Sequence, residues 1–189
     1  MTLTRQKTLL LAVPAIGMVA ILVMAFVLPI GALAGNKMSE QLGPHGYVTI
    51  SVVRDGAEIY HYEDHNLITN AGMNFIATQL GNATAAPANY IALSNNTASP
   101  SVTDTTLAGE FTSGGLQRAQ GTYSHTANTD NWTISKTFTA TASATGVQKA
   151  GLFNASSGGT MMAENTFSPV NLANGDTLTI TWTIDLGLS

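Results

Sequence analysis

Apolar and polar residues alternate along most of the chain after residue 46, with the period of a strand that rests one face on a core. The longest such run is 177–186. Leu178, Ile180, Trp182, Ile184 and Leu186 share one face, and Thr177, Thr179, Thr181, Thr183 and Asp185 share the other. Residues 47–54 repeat the pattern with Val48, Ile50 and Val52 inward. Asp55-Gly56 follows, a two-residue hairpin signal, and 57–65 returns as the second strand. The period then changes. Met73, Ile76, Ala77 and Leu80 recur at helical spacing, which predicts a short amphipathic helix over 73–80, capped by Thr69 or Asn70 and ended by Gly81. Further strands are predicted at 90–94, 116–124, 132–140, 147–154 and 160–167, with a long connection over 95–115. In 132–140, Trp132, Ile134 and Phe138 face inward, and Lys136 interrupts that face. About eight strands, one short helix and many Gly and Asn turns predict a mainly β fold, an antiparallel β-sandwich.

The N-terminal pattern is different. Leu9 to Ala34 is an uncharged run of 26 residues, and its apolar centre, 9–30, would measure about 33 Å as a helix, enough for a bilayer core. Arg5 and Lys7 precede it and orient the rest of the chain outward. The length favours a retained transmembrane anchor, whereas the Ala32-Leu33-Ala34 ending fits a cleaved signal peptide. Both remain open. The organisation expected is therefore an anchor or signal segment at 1–35, a polar linker at 36–46 and an extracellular β domain at 47–189.

Charge and composition narrow the partners. All eleven acidic residues follow residue 34, against five basic ones there, a balance of −6 that leaves no basic footprint for nucleic acid. The chain has no cysteine, so an exported domain must be held without disulfides and without thiolate chemistry.

Candidate chemistry is sparse. His61, Glu63 and His65 alternate on one predicted strand, with Asp64 opposite and His45 earlier, and two histidines with a carboxylate suit zinc and metal-assisted hydrolysis. The spacing matches no strong metal motif, and solvent-facing polar roles account for these residues equally simply. Asp55, Asp104, Asp130 and Asp176 fall in predicted loops, without an EF-hand ligand series. No nucleophile elbow, P-loop or dinucleotide fingerprint occurs, so the chain is read as a non-enzyme that takes no cofactor. Trp132, Trp182, Tyr60, Tyr62 and Tyr90 are possible sugar-stacking rings. The tryptophans belong to inward series, which leaves Tyr60 and Tyr62, on one strand face, as the partner-contact candidates. Sequons at Asn82, Asn95, Asn131 and Asn154 are glycosylation candidates beside predicted loops.

Three stretches carry a resemblance: 66–72 (NLITNAG) ahead of the helix, 150–163 (AGLFNASSGGTMMA) and 170–184 (VNLANGDTLTITWTI). Together they resemble the small β-sandwich modules of phage tail-fibre-like and related virion or cell-surface proteins. The resemblance spans most of 47–187, and its motifs are turns and core strands, so it implies a fold and a structural role. The N-terminal apolar segment departs from tail components and implies a surface or envelope-associated relative. The function expected is a membrane-anchored or secreted surface structural protein that acts by assembly or adhesion, as part of a filament, envelope or virion. It would contact the membrane through 9–34, and copies of itself or another surface protein through loops, sheet edges or the linker. A secreted glycan-binding module is the alternative, and a zinc-dependent hydrolase a third reading.

Overall fold

The computed structural model describes residues 43–82 and 85–187. The segment 1–35, expected as an anchor or signal, and most of the expected linker 36–46 lie outside them. Among the described residues no helix is long and apolar enough to cross a membrane. The strands are β1 (His45–Arg54), β2 (Ala57–His65), β3 (Leu67–Ile68), β4 (Tyr90–Ser94), β5 (Ala119–Gln120), β6 (Thr122–His125), β7 (Asn131–Thr139), β8 (Ala144–Phe153), β9 (Met161–Leu172) and β10 (Thr177–Asp185); the helix is α1 (Asn70–Gly81). They form two five-stranded sheets with every pairing antiparallel, in the orders β2-β1-β10-β7-β6 and β3-β9-β8-β4-β5.

β10 lies at the centre of the first sheet, between β1 and β7. Its four inward residues, Leu178, Ile180, Trp182 and Ile184, are fully buried, as are Val48, Ile50 and Val52 opposite them on β1. The same core cluster takes in Ile91 and Leu93 of β4, Leu152 of β8 and Phe167 of β9, so the inner faces of both sheets share one core. On the outer face threonines pair across the strands, Thr137 Oγ1 lying 2.8 Å from Thr179 Oγ1 and Ser135 Oγ 2.9 Å from Thr181 Oγ1. The β1–β2 hairpin turns on Asp55 and Gly56, both at positive φ (50° and 79°), as a two-residue primed turn requires.

Several sequence expectations shift. Ten strands stand where about eight were expected. The single strand expected over 116–124 is divided: β5 pairs with β4 in one sheet and β6 pairs with β7 in the other. The chain crosses between sheets at Gly121, where a Cβ would lie 2.7 Å from Ile134 Cγ2, so only glycine lets the backbone pass that close. β1 begins at His45, inside the expected linker, because Gly46 brings its backbone against the Thr183 carbonyl and the pairing with β10 runs on to Asp185. β10 ends at Asp185, leaving Leu186 half-buried beyond it.

The helix also turns a different face inward. Thr69 caps it, its Oγ1 accepting from Gly72 N at 2.9 Å and donating to Met161 O at 2.6 Å. Gly72, Phe75 and Ile76 are buried, whereas Met73 and Leu80, expected inward, are exposed. The reason is Gly72: its bare backbone presses on Met162, which draws the 72/75/76 side of α1 onto β9.

The connection with little regular structure, expected over 95–115, runs on to 118 and folds across the outer face of the second sheet. Leu107 packs with Ala92, Phe153 and Met161 as a small second core. Arg118 lies 3.6 Å over the Phe153 ring and grips Glu110 with two hydrogen bonds, of 2.9 Å and 2.6 Å. At the opposite end of the first sheet, Arg54 Nε and Nη2 donate to the Asp176 carboxylate (2.9 Å and 2.6 Å), and Asp176 Oδ2 also accepts from Ala173 N.

Two outcomes follow. Thr69→Ala removes a cap and orphans buried backbone groups, so it should cost about 2 kcal/mol in chemical denaturation, with Thr69→Ser close to wild type. The Arg54 guanidinium and the Ala173 amide hold Asp176 below the ordinary aspartate range. Its contribution is therefore present above the unfolded-state pKa and lost as pH falls through the lower folded value. Asp176→Asn should flatten that acid limb of the melting-temperature profile, and an unchanged limb would show that the pair is not coupled to folding.

Candidate functional site

One concavity among the described residues is apolar. The inward turn of α1 supplies Phe75, Ile76 and Gln79, with Leu80 at the rim. The following loop adds Ala85, Pro87, Ala88 and Asn89, strands β6 and β7 add Tyr123, Trp132 and Ile134, and Met162 and Leu186 complete the lining. The cleft has a volume of about 560 Å³, and none of its lining residues is charged. Gln79 Nε2 already donates to Ala85 O at 2.7 Å, so the amide fixes the loop rather than facing a ligand. Two large apolar side chains stand out at the rim, Leu80 at 80% exposure and Tyr123 at 59%. Isolated exposed apolar side chains are ordinary, but these two flank one concave apolar surface. The cleft offers shape and apolar area rather than acid–base chemistry.

His45, at the start of β1, pairs with Asp185, one residue from the cleft-lining Leu186.

The residues singled out in the sequence are dispersed. Tyr60 and Tyr62 do share a face of β2, but both are half-buried against the core and reach across to β9. Tyr60 donates to Ser168 O at 3.3 Å; Tyr62 Oη lies 2.9 Å from Asp64 Oδ2 and 3.4 Å from Thr166 O, with its ring 6.2 Å from that of Phe167. Burial, and then the Asp64 carboxylate, push the Tyr62 phenol up to about 12. They close the side of the domain between the two sheets.

The histidines do not converge either. His61 Nδ1 is 3.1 Å from Glu58 Oε1, the His65 ring stacks on Tyr47 at 4.5 Å, and His45 Nδ1 is 3.0 Å from Gly43 O. Glu63 and Asp64 are exposed on β2. Among the described residues no group of three His, Asp or Glu side chains is placed to hold a metal ion. The four loop aspartates are equally separate: Asp55 in the hairpin turn, Asp104 in the 95–118 connection, Asp130 before β7 and Asp176 on Arg54.

Trp182 is fully buried, Tyr90 packs against the small second core, and Trp132 is half-buried in the cleft. Of the sequon asparagines, Asn82 and Asn95 are exposed. Asn131 opens β7 paired with Asp185, and Asn154 is tied into its turn by accepting from Thr160 N at 2.7 Å.

The cleft's main rim residues, Leu80 and Tyr123, went unmarked in the sequence because their spacing assigned them to ordinary element faces. A visible signal was present in Gly72, directly ahead of the helix expected over 73–80, since a glycine permits a close backbone approach.

No family model, no curated protein and no solved structure matches this chain.

Because Tyr62 is a strut between sheets, Tyr62→Ala should lower stability by about 2 kcal/mol, measured by urea denaturation. A variant as stable as wild type would return this tyrosine to the list of surface contacts.

Proposed function

We propose that this is a surface structural protein that works by self-assembly. Its apolar segment 9–34 holds the chain at a membrane or directs its export, and its β-sandwich domain associates with a second copy through the apolar cleft. The observation that carries the reading is the cleft itself: an uncharged concavity of about 560 Å³ bordered by an exposed Leu80 and Tyr123. One surface thus presents both a hole and an apolar projection, which is what a self-complementary contact between identical copies needs.

Other features favour the cleft over a sheet edge. The longest exposed edge, β2, carries Glu58, His61, Glu63, Asp64 and His65, and charge on an edge strand opposes strand addition. The resemblance of the turn and strand motifs to phage tail-fibre-like and surface modules points to the same structural role.

A secreted glycan-binding module remains the second reading. It now draws on Tyr123 and Trp132, which line one cleft and present aromatic faces, rather than on Tyr60 and Tyr62.

The test is sedimentation of the full-length chain in detergent or vesicles across a concentration series. Leu80→Lys should weaken self-association by about tenfold or more while leaving the melting temperature within a few degrees of wild type. Unchanged association would remove the cleft from the interface. Saccharide binding lost with Tyr123→Ala, in a chain that stays monomeric, would favour the glycan reading.

A further inference from the structure

Beneath the 95–118 connection, on the outer face of the second sheet, lie three ionisable groups. Lys149 of β8 and Glu164 of β9 are 4% and 0% exposed, and Lys149 Nζ is 2.8 Å from Glu164 Oε2. The cross-strand register explains the meeting, because Lys149 pairs with Thr166 and Gly151 with Glu164, so the two side chains are diagonal neighbours on one face. The third group is Asp104, in the connection, whose Oδ2 accepts at 3.1 Å from Ser101 N, the same amide that donates to Glu164 Oε1.

The arrangement is unusual for a plain ion pair. Glu164 Oε1 accepts from Ser101 N at 3.0 Å, and Lys149 Nζ donates to Ala98 O at 3.2 Å. Yet Glu164 Oε2, wholly buried, has no aligned hydrogen bond despite the ammonium nitrogen beside it. A buried charge pair needs well-directed hydrogen bonds to offset desolvation. Here the amine and the carboxyl are held within reacting distance without one.

We propose that Lys149 and Glu164 condense to an intramolecular amide, with Asp104 as the proton carrier. The three groups are already prepared for the step. Burial, and then the neighbouring Asp104, push the Glu164 carboxyl up, the direction that favours the neutral acid the step consumes. The neighbouring Glu164 holds Asp104 low, which keeps it as a carboxylate base. The ammonium of Lys149 gives one proton to Asp104. The neutral amine attacks Cδ of Glu164, and the new N–C bond forms as the C–OH bond breaks. The hydroxyl leaves as water on the proton from Asp104, and the excess proton on nitrogen returns to Asp104. Charge is zero before and after, one water is released, and no oxidant or reductant is needed. The product replaces the buried ammonium and carboxyl groups by a neutral amide and staples β8 to β9 in a chain with no cysteine.

Tryptic digestion of the denatured full-length protein reads this directly, because no Lys or Arg follows residue 149. With the amide in place trypsin cannot cut there, and residues 137–189 emerge as a single peptide lighter by one water. Free peptides 137–149 and 150–189, with no linked form, would overturn the proposal. A branched product joining 55–118 to 137–189 would place the amide on Asp104 and overturn the assignment to Glu164. Asp104→Asn should slow the appearance of the linked peptide after refolding by about a hundredfold, with the circular dichroism spectrum unchanged. An unaltered rate would remove Asp104 from the step.

Discussion

The structure depends on one constraint: β10 must bury Leu178, Ile180, Trp182 and Ile184 while its backbone bonds to β1 on one side and β7 on the other. That single strand fixes the register of the first sheet. It also supplies the surface onto which the second sheet must close, because the inward side chains of both sheets meet in one cluster. A slip of one residue would put the threonine row inside and the apolar row outside, so the alternation is also what specifies the register. Each apolar side chain of that row contributes roughly 1.5–3 kcal/mol by burial, which is how a domain without disulfides can remain folded.

Around this core the chain handles its openings in different ways. The β2 side is closed by two tyrosine hydroxyls reaching β9, and its outer edge is charged. The outer face of the second sheet is covered by the 95–118 connection, secured by Leu107, by Arg118 on Glu110 and Phe153, and by the buried Lys149 and Glu164. The end between α1 and β6–β7 is left uncovered and uncharged.

Much of this was legible in the sequence, for reasons that differ by element. β2 and β4 were read to the residue, and β1 and β10 nearly so, because half-buried strands carry their burial in their period. The Asp55-Gly56 turn and the Thr69 cap were legible because each demands particular residues. The 116–124 segment was misread since one short segment serves two sheets, and only Gly121 marks the crossing. The burial face of α1 was misjudged because helical spacing alone cannot register that Gly72, with no side chain, is the closest contact. The cleft was not legible, being formed by residues distant in sequence. The same holds for the Lys149, Glu164 and Asp104 cluster, whose members looked like ordinary surface charges.

The central claim is that the open apolar end is where copies meet. Hydrogen–deuterium exchange of the full-length chain, compared between associated and dissociated states at the same temperature and pH, tests it most directly. The account predicts added protection over 75–81, 85–89 and 122–134, with β2 unchanged. Protection gained along β2, with the cleft segments unaltered, would contradict it and make the sheet edge the site of assembly.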